Sequence, residues 1–466
     1  MAEEKVFNPY ELRPDQVEEP PTSFVAIMKM IGPGLILASS IVGSGELIAT
    51  TVLGAEQGYI LLWLIIVSCM IKVVVQNELG RYAIATGTTT LEAFDLIPGP
   101  RFGLGKGYPT VSWMVICWFI MVLFTMMQIG GMLGGISQVL HGYLPLAATE
   151  GASITTWVWI INIITVFLLI GGKYSVVERI SMGLVVSFTV LTVMCAFVLL
   201  NLPQYFSWSE VASGLAFRPP EGGLATAVAA FGITGVGATE LVMYPYWCIE
   251  KGYARSTGPR DDSDAWRKRA FGWIRVMGAD VLNSMVIYTF ATIAFYLLGA
   301  GVLHSMGVVP KGAEMVSTLS RIYTETLGGW SLPIFLVGAI AVLYSTVFAS
   351  TAAQIRIYAD FVGMLGVYDR TNYRLRLKVT RMFVVILLFI PSCYFMWVTE
   401  PVLMVKIGGI AQATMLPIIG FATLYLRYKQ LPSRVAPKGW ITLALWVSAF
   451  VMALMMGYSV IERITS

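Results

Sequence analysis

The chain has 466 residues, of which 57% are hydrophobic and only 12% are charged, with a formal net charge of +4. Soluble globular chains carry roughly 25% charged residues, so this chain has too few to wet the surface of a globule of its size. Secreted enzymes, disordered scaffolds and nucleic-acid binders are thereby excluded, and a mean hydropathy of +0.74 predicts an all-α integral membrane protein.

The first stretch, 1–27, is polar and punctuated by proline, without the basic-then-apolar pattern of a signal peptide. It reads as a cytosolic tail, and 28–466 as a single membrane domain. A helix needs about 20 apolar residues to cross the hydrocarbon core. Eleven stretches qualify, at 31–57, 58–83, 109–140, 155–173, 178–202, 222–249, 275–303, 328–363, 377–399, 401–426 and 438–461. With the N-terminus inside, Arg81, Lys106, Lys173, Arg179, Lys251, Arg267, Lys268, Arg370, Arg374, Lys378 and Lys429 are among the many cations at the cytosolic face. Only Arg218, Lys311, Arg321 and Arg463 fall outside. The positive-inside rule then predicts a cytoplasmic N-terminus, an external C-terminus and a location in the cell membrane, plasma or inner.

Gly130, Gly131, Gly134 and Gly135 give two overlapping Gly-x-x-x-Gly spacings, which predict a helix-packing surface. The glycines around Lys106 lack the upstream glycine and the following Ser or Thr of a phosphate loop. Cys69, Cys117, Cys195, Cys248 and Cys393 are isolated, and His141 and His304 are the only histidines, so neither a disulfide framework nor a histidine-rich metal cage is expected. No hydrolase or metalloprotease motif survives inspection. We expect no enzyme activity, no cofactor and no nucleic-acid partner. The lipid bilayer is the expected partner, and a monomer the expected state.

Two spans are interrupted in matching ways. The first carries Gly43-Ser44-Gly45-Glu46 at mid-membrane, and the sixth carries Gly232-Ile233-Thr234-Gly235-Val236-Gly237-Ala238-Thr239-Glu240. Gly-interrupted segments at corresponding positions of two halves point to a secondary transporter built from inverted repeats. Repeat one would cover 31–202 and repeat two 222–426, a five-plus-five arrangement with 438–461 as an extra span. Unwinding spans 1 and 6 would free carbonyls to face a cation. Glu46 and Glu240 would supply two negative charges for it. Without a cation at least one would hold a proton, so metal arrival would expel protons. Lys72, Arg275, Asp280, Arg356, Asp360 and Lys406 also lie in or at the edges of spans. Asp280 and Lys72 are the further candidates for proton relay, besides Glu46 and Glu240. Met243 and its aromatic neighbours through Trp247 are expected to pack or gate.

Gly32-Pro33-Gly34, Gly54-Ala55-Glu56-Gln57-Gly58, the Gln76 to Leu91 stretch, Leu303-His304, Ala352-Ala353-Gln354, Thr380-Arg381 and Gln412 with Leu416-Pro417 follow one another in a fixed order. In that order they resemble the Nramp-type divalent metal transporters, the natural resistance-associated macrophage protein family. The resemblance implies a LeuT-type fold, alternating access and proton-linked uptake of Mn²⁺ or Fe²⁺. The binding motifs depart from the family pattern. Gly43 and Glu46 stand where the family has Asp and Asn, Thr239 falls at the family's Met, and its acidic pair in span 3 falls on Gln128 and Gly131. An alignment with an insertion pairs Met243 and Pro245 instead.

The expectation is therefore a divergent member importing a divalent cation. Glu46, Glu240, Thr239, Gln412 and carbonyls near Gly43 and Gly237 would hold the ion as the metal site. Exchanging a thioether for a carboxylate hardens the site, favouring Fe²⁺ or Mn²⁺, with Mg²⁺ disfavoured by its octahedral demands. A second reading keeps the fold and makes the substrate a small carboxylate or amine coupled to H⁺ or Na⁺. A third, a receptor or intramembrane enzyme, lacks any supporting module or motif.

Overall fold

A computed structural model describes residues 8–170, 174–220 and 222–465. Of the cations used to orient the chain, Lys173 lies outside the described residues, as do the side chains of Arg179 and Arg463. Among the described residues ten helices are long and apolar enough to cross a membrane: Pro33–Gln57, Leu62–Thr86, Trp113–Tyr143, Glu150–Ile170, Leu224–Lys251, Asp264–Leu303, Gly329–Met364, Tyr373–Val398, Pro401–Lys429 and Gly439–Glu462. The helix Tyr174–Leu199, with its apolar stretch Val186–Leu199, completes the expected series as span 5. The others take the remaining numbers in chain order.

Helix ends follow local chemistry. Ser263 caps span 7 by accepting the Trp266 N–H, Asn372 caps span 9 through the Leu375 N–H, and Thr89 forms a capping box with Glu92. Large apolar side chains are exposed along the spans, among them Phe167, Phe197, Phe290 and Leu454. Exposed Trp330, Trp397 and Trp440 stand at span ends, where amphipathic rings meet a membrane interface. A short hairpin, Arg101–Gly103 with Thr110–Ser112, joins spans 2 and 3.

Close helix contacts depend on glycine. A Cβ on Gly232 would lie 2.0 Å from the Gly409 carbonyl, and one on Gly409 would lie 2.6 Å from the Ala229 carbonyl. Spans 6 and 10 are therefore in backbone contact just above the interruption of span 6. Span 3 behaves as its glycine spacing predicts. Gly130 and Gly131 face the carbonyls of Pro391 and Pro401, and Gly134 faces the ring of Phe395.

The two interruptions differ in form. Span 6 unwinds: the helix Leu224–Ile233 stops, Gly235 takes φ +64°, and a second helix starts at Ala238. Span 1 was expected to unwind in the same way, but Val42–Thr50 continues as wide π-helical turns. The reason lies in two threonines. Thr50 donates its hydroxyl to the Gly45 carbonyl and Thr51 to the Glu46 carbonyl, so the widened turn keeps its acceptors bonded. Span 6 has no such hydroxyls and carries the residue in the left-handed region, where glycine is the residue of choice.

Candidate functional site at the break in span 6

Span 1 crosses span 6 at the break. Gly45 has no side chain to hold it off, and a Cβ there would lie 3.1 Å from the Ile233 carbonyl. This close approach sets Glu46 against the unwound segment. Its Oε1 accepts the Gly235 N–H at 3.2 Å and the Thr292 hydroxyl of span 7 at 2.7 Å. Its Oε2 is buried and has no hydrogen-bond partner among the described residues. Glu46 is 0% and Glu240 6% exposed, so both carboxylates are shut off from solvent.

Below the break, the second half-helix begins with N–H groups that no turn of its own can satisfy. Gln412 of span 10 meets one of them. Its Oε1 accepts the Thr239 N–H at 3.1 Å and lies 2.9 Å from the Thr239 hydroxyl, while its amide nitrogen donates to Gln128 Oε1 of span 3 at 2.9 Å. The same Thr239 hydroxyl stands 2.8 Å from Glu240 Oε2. Gly237 keeps this corner open, since a Cβ there would lie 2.5 Å from both Gln412 Oε1 and Glu240 Oε2. Glu240 sits in the first turn of its half-helix, where the backbone dipole favours negative charge.

Of the expected site residues, Glu240, Thr239, Gln412 and Gly237 thus form one cluster, and Glu46 reaches the other side of the break. The two glutamates share no hydrogen-bond partner. The Gly237 carbonyl accepts the Leu241 N–H, so it serves the start of a helix. Gly43 lies apart: its N–H donates to Thr346 Oγ1 of span 8 at 3.0 Å, and its missing side chain admits that contact. Met243 is fully buried in the apolar core, as a packing residue would be.

Lys72 and Asp280 occupy unexpected places. Lys72 is 0% exposed and donates to the Phe231 and Thr234 carbonyls, the acceptors that the break in span 6 sets free. Asp280 caps span 1. Its two oxygens accept the N–H groups of Gly32 at 2.9 Å and Gly34 at 2.6 Å, and one also accepts the Tyr244 hydroxyl at 2.9 Å. A carboxylate so placed satisfies orphan helix donors, and it sits at the start of span 1 rather than beside the glutamates.

Three site residues escaped the sequence reading. Thr292 holds Glu46. Gln128 had been noted for what it replaces, and here it holds Gln412. Cys69, fully buried on span 2, lies with its sulfur 3.2 Å from where a Gly235 Cβ would stand. A soft donor therefore stands beside the break after all. Among the described residues there is no cluster of three His, Cys, Asp or Glu side chains able to hold a metal; any ion here would draw on amide, hydroxyl and carbonyl oxygens as well.

The face bearing the N-terminus is closed by a polar network. Glu250 of span 6 pairs with Arg356 of span 8 at 2.8 Å and accepts the Tyr10 hydroxyl at 2.7 Å. Burial first, and Glu250 second, hold the Tyr10 hydroxyl well above its ordinary range, so it remains a donor. Asp360 accepts the Tyr246 and Thr89 hydroxyls and pairs with Arg370 at 2.7 Å. At the opposite face Lys406 of span 10 pairs with Glu56 of span 1 at 2.7 Å.

A bundle with one span broken in mid-course, and with buried carboxylates and amides gathered at that break, is the architecture of a membrane transporter. Residues 34–462 match the Nramp family, described as natural resistance-associated macrophage protein-like. The chain belongs to that family. It is 25% identical over 329 residues to the divalent metal cation transporter MntH 1 of Pseudomonas aeruginosa, across 69% of this chain and 67% of that one. Its fold is similar to that of the Eremococcus coleocola manganese transporter in complex with an aromatic bis-isothiourea substituted compound (TM-score 0.64, 16% identity, 96% of this chain and 90% of that one). It is also similar to Mhp1, a nucleobase-cation-symport-1 family transporter, in a closed conformation with bromovinylhydantoin bound (TM-score 0.54, 15% identity, 96% of each chain).

Proposed function

We propose that this chain is a secondary active transporter that imports a divalent metal ion, Mn²⁺ or Fe²⁺ ahead of Mg²⁺, by alternating access with linked proton movement. One observation carries the reading: Glu46 Oε2 is a buried acceptor beside the break, without a hydrogen-bond partner among the described residues. Leaving such an acceptor dry costs about 1–3 kcal/mol, and a cation entering the chamber relieves it. Glu240, Thr239 and Gln412 supply further oxygens across the break. The Cys69 thiol suits Mn²⁺ or Fe²⁺ better than Mg²⁺, which demands oxygen ligands in near-octahedral order. The relatives support a metal cargo, since one is named as a divalent metal cation transporter and another as a manganese transporter.

In this reading the face with the N-terminus is cytosolic, in keeping with its excess of Lys and Arg, and 31–202 and 222–426 are the inverted repeats. The test is uptake of Mn²⁺, Fe²⁺ and Mg²⁺ into proteoliposomes with an internal pH dye. Metal uptake that acidifies the lumen, and that falls at least tenfold in Glu46→Gln and Glu240→Gln, is expected. Uptake of a small carboxylate or amine with no metal flux would establish the organic-solute reading instead.

A further inference from the structure

The Lys72 ammonium has an unusual setting. It is fully buried at mid-span, and among the described residues no carboxylate comes within ion-pair distance of it. Its partners are the main-chain carbonyls of Phe231, at 2.7 Å, and Thr234, and it lies 5.3 Å from the centre of the Phe231 ring. Two further oxygens lie beside these carbonyls. Ser68, one turn earlier on span 2, places its hydroxyl 3.3 Å from the Phe231 carbonyl, 3.4 Å from the Thr234 carbonyl and 3.0 Å from Thr234 Oγ1.

A pair of carbonyls freed by a helix break, with two hydroxyls beside them, is a set of hard neutral oxygens of the kind that replaces the water shell of an alkali cation. Here an ammonium fills it, and the ammonium is attached to the chain. The two carbonyl dipoles offset part of the cost of burying it.

We propose that Lys72 is a tethered counter-ion occupying an alkali-cation cradle made by Phe231, Thr234 and Ser68, so that this chain binds neither sodium nor potassium there, and that removing the side chain opens the cradle to one of them. The proposal does not depend on which solute is carried. A lysine that merely staples span 2 to span 6 would leave no ion-specific trace when shortened.

Purified wild-type protein and the variants Lys72→Ala and Lys72→Met are compared in detergent by thermal unfolding and by ²²Na⁺ and ⁸⁶Rb⁺ retention, with sodium, potassium or choline chloride at one ionic strength. Wild type is expected to unfold at the same temperature in all three salts and to retain neither isotope. Lys72→Ala is expected to gain about 2–4 °C in sodium or potassium over choline, and to retain the matching isotope saturably. Lys72→Met, whose side chain fills the space without charge, is expected to gain nothing. A Lys72→Ala protein that is monodisperse only with an alkali cation supports the proposal. One that is unstable in every salt, or stable and indifferent to all of them, overturns it, as does alkali-cation retention by wild type.

Discussion

Gly235 donates its main-chain N–H to Glu46 Oε1 at 3.2 Å, so the acidic side chain of span 1 is positioned by the unwound backbone of span 6. Gly235 also takes φ +64°, and a Cβ there would stand 3.1 Å from Cys69 Cα. Gly235→Ala therefore meets both a backbone conformation that L-residues avoid and a rigid neighbour. We expect a stability loss of about 1–3 kcal/mol, read as a lower unfolding temperature in detergent, together with loss of metal uptake. A variant with wild-type stability and uptake would mean that the break does not orient Glu46.

Gln412 gives a cleaner separation of binding from folding, because its Oε1 serves the Thr239 N–H and approaches the Thr239 hydroxyl, which also stands beside Glu240. Gln412→Leu keeps the volume and strands a buried helix donor. The cost of an unmade bond of this type, about 1–3 kcal/mol, falls on the corner where the ion is proposed to sit. Metal affinity measured by calorimetry should drop roughly tenfold or more, while Gln412→Glu, which retains an acceptor, should bind at least as tightly as wild type.

Gly237→Ala tests the open corner itself. The added methyl would lie 2.5 Å from Glu240 Oε2 and Gln412 Oε1, too close for either to stay. The residue's own φ of −75° suits alanine, so backbone strain is not the issue. Uptake should fall at least tenfold, and the unfolding temperature should drop as well, because displacing Gln412 Oε1 from the Thr239 N–H costs about 1–3 kcal/mol; full activity would move the ion elsewhere.

The spans, the break in span 6 and its acidic residue were legible because each is written locally: a run of apolar residues, a cluster of glycines, one Glu in a setting with no other charge. The same rule explains the failures. Span 1 looked as breakable as span 6, and only the threonines at 50 and 51, which read as ordinary β-branched residues, keep its widened turns bonded. Asp280 and Lys72 were singled out as buried charges, but their surroundings are set by backbone 248 and 246 positions away for the first and by the carbonyls at the break for the second. Thr292 and Cys69 carry no local signal, since a lone Thr or Cys in an apolar helix is an ordinary packing residue until a partner from another span meets it.

The network on the N-terminal face joins spans that must part if the chamber is to open on that side. Glu250 and Arg356 bridge spans 6 and 8, and Tyr10 is locked between the Glu250 carboxylate and the Arg376 guanidinium, whose centre lies 3.7 Å from the ring. Cys248 lies two residues before Glu250 and is completely buried, which makes it a built-in reporter. Arg356→Met removes the cation yet leaves the span-8 backbone alone, and it strands the half-buried Glu250 carboxylate without its ion-pair partner. Modification of Cys248 by a membrane-permeant maleimide should accelerate at least several-fold in Arg356→Met, with Cys393, exposed on span 9, as the internal reference. Tyr10→Phe, which deletes only the hydroxyl, should give a smaller acceleration of the same sign. Equal protection of Cys248 in wild type and both variants would show that this network is decoration on a face held shut by packing alone.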